Sequence, residues 1–592
     1  MLRAAVTRVT VLCATVLYTA VACMATVAWG QEPPVEPNAP VQPAMPAGPT
    51  VTVHGAVTNA ATGAPLARAL VMVFGPIMRG ALTDGEGRFE LSAVPQGYAT
   101  FTVRKPGYGP TTDSDEEMMP FQVHVAENMQ ELNFSLSPKN AISGHVMLSS
   151  GLPAQGVWVS LLRRVIENGR PVWVRVDGRN AAPDGSFRFG GLHDGTYMVQ
   201  SRPEFENEGA SAPNCAAEAP AEMTGYPAVF STGSAEMSEA AQIRVSAGQN
   251  AEISLGLTQT RFHRVRIAIA EKAGAGWDQN QVLMDGNGQD LEYPVRAEKG
   301  EMCVYLPDGA YTLMVQAQRR VEVAQISDGF RRAFPAAQHG DLASVLEFNV
   351  DGKEANLRMA LTQAGSTPVH VHFSPGPPPA AATAGPGSGP GPAGDVGGGR
   401  GSELMFLSAT RVTGIGVSSE GAQAVSEMEY ELGQVAPGQY WITAVPEREG
   451  TCLGAVTAGG QALGRMPWVA RETGTGMPID VELRTDCAKL TVELPAVPES
   501  GNVNQDGMIY VYTVPESEPG QSPNEGQPAR LFGSGSLTMT NMTPGKYRVY
   551  AFRSQKQVEV NNPAAMEKLG AGQEVTLDPN GTATVMLESV QP

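Results

Sequence analysis

The sequence predicts an all-β chain built from tandem β-sandwich modules. Two observations lead to this prediction: a short glycine turn recurs five times, and each copy runs into a strand in which apolar and polar residues alternate. The chain has 67 glycines and 46 prolines among 592 residues and is only 6% aromatic, which is typical of turn-rich structure with modest cores. Because this length exceeds what one hydrophobic core supports, five turns predict five modules.

The recurring turn places a glycine one or two residues before a tyrosine, usually after proline or aspartate. Glycine reaches backbone conformations closed to other residues and proline fixes its own φ, so the turn ends one strand and begins the next. The tyrosine can bury its ring and keep its hydroxyl hydrogen-bonded near the rim of the sandwich. We therefore interpret the turn residues as structural, the first copy being Pro95-Gln-Gly-Tyr98, and the signature positions are Gly97, Tyr197, Tyr311, Tyr440 and Tyr547.

Residues 1–30 read as a secretory signal peptide. Arg3 and Arg8 precede an apolar run from Val9 to about Ala28 without acidic residues, and cleavage before Gln31 fits this pattern. Two alternatives stay open: a lipoprotein signal at Cys23, and an uncleaved N-terminal anchor, since the run is nearly long enough to span a bilayer. We expect an exported protein, whether periplasmic, in the cell envelope or secreted.

The remaining chain divides by composition. Residues 31–50 are predicted to be an extended proline-rich tether without a core, and residues 374–402 a flexible Gly/Pro/Ala linker. No later segment is apolar enough to cross a membrane. The β-sandwiches are predicted at 51–137, 138–258, 259–373, 403–487 and 488–592, on a string.

The first of these sandwiches carries a recognisable motif. The first part of the motif contains a strand with Gly55 and, after it, Gly63, Pro65, Leu66 and Ala69; a second block of residues follows. That block holds Thr83, Asp84, Gly87, Phe89, Leu91, Pro95 and Gly97. The pattern resembles the carboxypeptidase regulatory-like domain, which implies an Ig-like, transthyretin-like β-sandwich. Some related modules resemble CnaB domains, which can form Lys–Asn isopeptide bonds; because the lysines here are few and do not recur at one module position, no such bond is predicted.

Charge and cysteines restrict the function further. A net charge of −19 argues against nucleic acid as a partner, because phosphate binding needs clustered Lys and Arg. Cys452 and Cys487 fall within one predicted module and are the preferred disulfide, whereas Cys215 and Cys303 belong to neighbouring modules and are the less favoured pair. None has CxxC spacing, which gives zinc or redox chemistry little support.

Candidate catalytic and metal motifs are weak. His124 and Glu127 have a zinc-peptidase spacing, but strand alternation puts them on opposite faces. His370 and His372 share a face and lack a third ligand nearby. The run Asn502 to Gly507 resembles half a calcium loop, with Thr513 where the bidentate acid belongs. We therefore predict no enzyme, no catalytic residue, no metal and no cofactor.

Exposed tryptophans are the remaining candidates for ligand binding, because a flat ring stacks on sugar faces and the related superfamily includes starch-binding-like folds. Trp277 and Trp468 lie in loop-like sequence and Trp173 beside a turn, so these three are the weak ligand-binding candidates. Trp158 and Trp441 sit in alternating strands and are expected to fill cores.

The function predicted from the sequence is that of a non-enzymatic exported scaffold or adhesive of the cell envelope, binding polysaccharide or envelope proteins. Two alternatives remain: a dedicated carbohydrate-binding protein, and an accessory subunit of an extracytoplasmic peptidase.

Overall fold

A computed structural model describes residues 49–591 except 75–77, 110–120, 168, 207–215, 217, 271–276, 299, 320–341, 377–403, 413, 416–418, 465, 496–507, 517–528, 533–534, 554–555, 557–558, 560–561 and 571. Contacts divide the chain into two units, Met1–Thr50 and Val51–Pro592. The leader and nearly all of the tether lie outside the described residues, so both stay predictions. The second unit is all-β, as predicted: the described helices are Ser231–Gly233, Met237–Glu239 and α1, Pro563–Glu567.

Module 1 is a sandwich of two four-stranded sheets. Their orders are β4-β1-β8-β6 and β3-β2-β5-β7. The strands are β1 Thr50–Asn59, β2 Leu70–Phe74, β3 Arg79–Leu82, β4 Arg88–Pro95, β5 Gly97–Arg104, β6 Tyr108–Gly109, β7 Phe121–Val125 and β8 Leu132–Pro138. Burial alternates along β4, where Phe89 and Leu91 face the core between polar neighbours, as expected for a sheet with one wet face.

Module 2 occupies residues 140–257 with sheets β12-β9-β17 and β11-β10-β13-β16. The strands in this stretch are β9 Asn140–Leu148, β10 Trp158–Glu167, β11 Arg170–Asn180, β12 Ser186–Leu192, β13 Gly195–Ser201, β14 Glu204–Phe205, β15 Glu222–Tyr226, β16 Ile243–Val245 and β17 Asn250–Leu257. The short strands β14 and β15 leave the module and join the first sheet of the next one.

Module 3 follows without a linker. Its strands are β18 Thr260–Ile269, β19 Trp277–Asp285, β20 Arg296–Glu298, β21 Glu301–Leu306, β22 Gly309–Arg319, β23 Leu342–Val350, β24 Ala355–Met359 and β25 Thr362–Gln363. One sheet has the order β14-β15-β18-β21-β20 with β24 also on β18, and the other is β19-β22-β23-β25. Two short strands of the second predicted sandwich, β14 and β15, are thus part of this sheet, whereas its last strands, β16 and β17, stay in module 2.

Module 4 begins earlier than the sequence indicates. Its strands are β26 Ser366–Phe373, β27 Met405–Arg411, β28 Ser419–Ala424, β29 Glu429–Gly433, β30 Gly438–Pro446, β31 Cys452–Ala458, β32 Gln461–Ala462, β33 Trp468–Ala470 and β34 Ile479–Arg484. They form one nine-stranded path, because β28 pairs with both β27 and β29. Strand β26 was assigned to the sandwich at 259–373, but it pairs with β29 and β34 and therefore belongs here.

Module 5 has sheets β38-β35-β41 and β37-β36-β39-β40. Its strands are β35 Ala488–Glu493, β36 Met508–Pro515, β37 Ala529–Phe532, β38 Ser536–Met542, β39 Gly545–Phe552, β40 Gln573–Leu577 and β41 Thr582–Met586. A second small core forms on its other side, where Tyr510, Tyr512, Tyr550 and Phe552 are buried together.

One topology recurs in all five modules. The first strand pairs in parallel with a late strand of the same module, as β1 with β8, β9 with β17, β18 with β24, β26 with β34 and β35 with β41. The strand before the recurring turn also pairs with that first strand. The strand after it lies inside the other sheet in modules 1, 2, 3 and 5, and in module 4 it lies beyond β27 in the single nine-stranded path. The turn is therefore the corner at which the chain crosses between the two layers.

The modules have separate cores with one exception. The core of module 3 also contains Leu162 and Met198, which are buried on β10 and β13 of module 2. Because apolar burial is the main favourable term in folding, this shared core couples the two modules.

Candidate functional site

The tyrosine of the recurring turn fixes the corner in four modules. Each ring is buried, and each hydroxyl donates to the carbonyl four residues upstream, a geometry known as a tyrosine corner. The bonds are Tyr197 to His193 at 2.9 Å, Tyr311 to Pro307 at 3.0 Å, Tyr440 to Ala436 at 2.6 Å and Tyr547 to Thr543 at 2.6 Å. Burial raises the pKa of Tyr311 and Tyr440, so these hydroxyls stay protonated and act as donors.

Module 1 departs from this pattern. In the other copies the tyrosine lies two residues after glycine, whereas Tyr98 follows Gly97 directly. A shift of one residue along a strand moves a side chain to the opposite face. Ala99 is consequently buried at the equivalent position, and Tyr98 is 84% exposed, with its ring centroid 5.1 Å from that of His124. Gly97 keeps its turn position at the start of β5, but the expectation of a structural tyrosine in this module is wrong.

The tryptophans proposed as ligand contacts lie in different environments. Trp468 is only 2% exposed, and its indole Nε1 donates to the Met477 carbonyl at 2.9 Å, so its assignment to an exposed loop is wrong. It begins β33, which pairs with β30, and this pairing is what draws the ring into the core of module 4. Trp277 begins β19, and its side chain lies outside the described part of the chain. Trp173 is half-buried on β11 and forms an isolated parallel bridge with Ile415 of module 4.

That bridge belongs to a larger contact made by the hairpin β10–β11. The Arg170 guanidinium lies 3.6 Å from the centre of the Trp441 ring, and its Nη2 donates to the Gly464 carbonyl at 2.5 Å. Both partners belong to module 4. A guanidinium over an indole face is attracted by the ring quadrupole, so the hairpin tip is held electrostatically as well as by packing.

The stem of the same hairpin reaches the other modules. Arg164 pairs with Glu559 of module 5 at 2.7 Å. Arg175 pairs with Glu292 of module 3, which also pairs with Arg202 of module 2. We call β10–β11 the clasp, because this one hairpin contacts modules 3, 4 and 5.

Glu559 shows how the clasp holds its charge pairs. Burial alone would raise the pKa of this carboxyl, but hydrogen bonds from Asn562 and Arg164 outweigh that effect and lower it. The carboxylate is therefore ionised, and the pair with Arg164 is present at neutral pH.

Further bonds join neighbouring modules. Gln316 on β22 donates to the Gln434 carbonyl of module 4 at 2.8 Å, and the buried hydroxyl of Thr543 in module 5 donates to the Leu453 carbonyl of module 4 at 2.7 Å. Between modules 4 and 5, the Arg484 guanidinium donates twice to the Asp486 carboxylate, at 2.8 and 2.6 Å. The predicted modules are therefore connected by more than their linkers.

The Cys452–Cys487 disulfide is confirmed, with the two Cα atoms 5.8 Å apart. Cys452 begins β31, while Cys487 lies between the last strand of module 4 and the first of module 5. The bond therefore ties the junction of these two modules. Cys303 is buried on β21 and is disulfide-bonded, and Cys215 falls outside the described residues.

The structure describes two of the three candidate metal motifs that the sequence offers. Over the ranges described above, no group of three or more His, Cys, Asp or Glu side chains could hold a metal ion. His124 and Glu127 are both exposed, and His370 Nδ1 lies 2.6 Å from Glu429 Oε2. The candidate calcium loop, Asn502 to Gly507, falls outside the described residues. In the same described part of the chain, no helix has the length and hydropathy needed to cross a membrane.

Several solved structures resemble parts of the chain. A minor pilin of Streptococcus agalactiae is 13% identical over 36% of this chain and 97% of its own, with a TM-score of 0.19. The shaft pilin of Lactobacillus rhamnosus GG is 11% identical over 36% and 97%, with a TM-score of 0.17. The TIE protein of Bacillus anthracis is 13% identical over 53% of this chain and 51% of its own, with a TM-score of 0.15. This chain thus spans about half the length of the Bacillus protein.

No curated protein matches the chain. Among family models, that of the carboxypeptidase regulatory-like domain matches residues 52–137. The matched range begins within β1 and ends within β8, so it coincides with one complete sandwich. Module 1 therefore matches the carboxypeptidase regulatory-like domain, the family whose motif its turns and strands resemble.

Proposed function

We propose that the chain is an exported, non-enzymatic scaffold of the cell envelope. The observation that carries this proposal is the clasp: one hairpin of module 2 contacts modules 3, 4 and 5 through Arg175, Arg170 and Arg164. Contacts of this kind hold several modules at fixed spacing, as a scaffold requires. The apolar leader supports export.

Binding of envelope polysaccharide or envelope protein is the finer part of the proposal. Modules held at fixed spacing meet a repeating polymer with several surfaces at once, and such multivalent contact strengthens retention without new contacts at each surface.

The test uses the purified mature chain and a variant with a loosened clasp, Arg164→Ala with Arg170→Ala. Both are sedimented with isolated envelope polysaccharide and, separately, passed over immobilised envelope proteins. We expect the wild-type chain to be retained by one of these and the variant to be retained less. Arg244→Ala, which removes an exposed arginine from β16 of module 2, is the control and should behave as wild type.

A peptidase assay with added zinc addresses catalysis directly, and we expect no turnover. Zinc-dependent cleavage by the purified chain, or equal retention of the clasp variant on every partner, would contradict the proposal. Retention by proteins that includes a co-purifying peptidase would favour the accessory-subunit alternative instead.

A further inference from the structure

A cleft lies where module 1 meets module 2. Its volume is about 650 Å³, within the range of small-molecule sites. Four segments form its walls: the turn between β5 and β6, the residue between β8 and β9, the turn between β12 and β13, and the base of the clasp. This cleft is separate from the clasp contacts with modules 3, 4 and 5.

The junction beneath the cleft is tightly built. Lys139 is the only residue between β8 and β9, and its backbone N–H donates to the Gly107 carbonyl at 2.8 Å. The next residue, Asn140, is 1% exposed and uses both ends of its amide. Its Nδ2 donates to Asp194 Oδ1 at 2.8 Å, and its Oδ1 accepts from the backbone N–H groups of Gly248 and Gln249, both at 2.8 Å. The walls are therefore fixed relative to each other, as a binding site requires.

The lining is strongly cationic, although the whole chain carries a net charge of −19. The basic side chains that line the cleft are Arg104, Lys105, Lys139, Arg163 and Arg188. Asp177 is the one carboxylate among the described lining residues, and it already pairs with Arg179. A cleft lined by one sign of charge focuses its field and concentrates ligands of the opposite sign.

Lys139 holds the centre of this arrangement. Its Nζ lies 3.1 Å from His193 Nδ1, so groups from the module junction and from module 2 meet at one point. Its stem crosses Gly109, where an added Cβ would come within 2.0 Å of Lys139 Cε. Glycine at this position is what lets the ammonium group enter the cleft.

Apolar surface accompanies the charge. Tyr108, which is partly exposed, and Val176, which is 43% exposed, line the cleft, whereas the lining residues Leu192 and Tyr197 are buried. Rings and aliphatic groups of this kind pack against the C–H faces of a sugar, while lysine and arginine form charge-assisted hydrogen bonds with carboxylate or phosphate.

We propose that the cleft between modules 1 and 2 binds an acidic saccharide through Lys139 and Arg188, with its ring against Tyr108 and Val176. The acidic group is a carboxylate or a phosphate, as in a uronic acid or a sugar phosphate. This site adds a ligand to the scaffold, and the scaffold proposal holds even with an empty cleft.

The experiment is calorimetric titration of the purified mature chain with glucuronate, glucose 6-phosphate and glucose at low ionic strength. We expect an acidic sugar to bind and glucose not to bind, and the comparison of the two acids tells carboxylate from phosphate. Binding should weaken in high salt because partly exposed charge pairs are screened.

Lys139→Gln and Arg188→Gln should each weaken binding about tenfold, the effect expected for losing a hydrogen bond between charged groups. Lys489→Gln, an exposed lysine of module 5, is the matched control and should leave binding unchanged. Thermal unfolding of each variant shows whether it is folded as the wild type is. The proposal is overturned if neither acidic sugar binds, if glucose binds equally well, or if both cleft variants, folded, bind as wild type does.

Discussion

At the scale of single residues, the hydroxyl of each corner tyrosine is the most testable feature. The hydroxyl of Tyr440 lies 2.6 Å from the Ala436 carbonyl inside a largely buried corner. Its position follows from sequence, because glycine two residues earlier puts the ring on the inner face. The same rule explains Tyr98, where glycine is one residue earlier and the ring points outward.

Replacing Tyr440 with phenylalanine should lower the free energy of unfolding of module 4 by about 1 kcal/mol, because the Ala436 carbonyl loses its side-chain donor. Denaturant unfolding followed by hydrogen exchange in β30 measures the change. Tyr98→Phe is the matched control, and we expect it to leave module 1 unaffected since its ring is 84% exposed. If the two variants lost the same unfolding free energy, the hydrogen bond from Tyr440 to Ala436 would contribute nothing to stability.

The stability that Glu559 contributes should depend on pH. Its folded-state pKa lies below the ordinary value of 4.5, so the ionised form stabilises the folded state above that value. This stabilisation is lost as the pH falls through the lowered folded-state pKa. The melting temperature of wild type should exceed that of Glu559→Gln at neutral pH, and the difference should shrink in acid below pH 4.5. A difference that stays constant across this range would mean that the carboxylate does not support the contact with Arg164.

At the scale of elements, the corners were predictable and the clasp was not. A turn motif is local, so a glycine one or two residues before a tyrosine, with proline or aspartate close by, indicates it in the sequence. The clasp joins Arg170 to Trp441 and Arg164 to Glu559, residues hundreds of positions apart that carry no periodic signal. The prediction that Trp468 is exposed is wrong for a related reason. Strand β33 has only three residues, which are too few for an alternation of apolar and polar residues to show.

A double-mutant cycle on Arg170 and Trp441 tests the clasp tip. We expect a coupling energy on the order of 1 kcal/mol between Arg170→Ala and Trp441→Leu, the size of a partly buried cation–π contact. The measurement is chemical unfolding of wild type, both single variants and the double variant. Arg244→Ala combined with Trp441→Leu serves as the control cycle, because Arg244 is exposed on β16, and its coupling should be near zero. If the losses of unfolding free energy in the first cycle were additive, the Arg170 guanidinium and the Trp441 ring would not stabilise each other.

At the scale of the whole molecule, the tandem β-sandwich architecture follows from sequence, whereas the module boundaries and the strand order within each module do not. The glycine- and proline-rich stretch from 374 looked like a module boundary, yet β26 on one side of it pairs with β29 on the other. A composition rich in glycine and proline indicates that a segment lacks a core, but it does not indicate which strands the segment separates. Strand pairing within a module is set by burial between layers, and only the folded chain reveals it.

The Cys452–Cys487 disulfide acts at this scale because it ties modules 4 and 5. Closing a loop across 35 positions restricts the unfolded chain, and its removal should cost about 2–4 kcal/mol. The variant Cys452→Ser with Cys487→Ser is preferable to a reductant, since Cys303 is disulfide-bonded as well. We expect faster hydrogen exchange in β31 and β35 and unchanged exchange in β5 of module 1. If hydrogen exchange were unchanged in all three strands, the disulfide would not stabilise the junction of modules 4 and 5.

Replacing the three arginines of the clasp tests whether this hairpin holds the modules together. If Arg164, Arg170 and Arg175 keep modules 3, 4 and 5 against module 2, replacing all three with alanine should free them to move about their linkers. The substitutions leave every core intact, including the one that modules 2 and 3 share, so strand content measured by circular dichroism should not change. The radius of gyration from small-angle scattering should rise as modules 4 and 5 become free to move. Arg244→Ala, also in module 2, should leave the scattering curve as it is. An unchanged radius in the triple variant would mean that other contacts are sufficient to hold the modules together, namely the shared core at Leu162 and Met198 and the side-chain hydrogen bonds donated by Thr543 and Gln316.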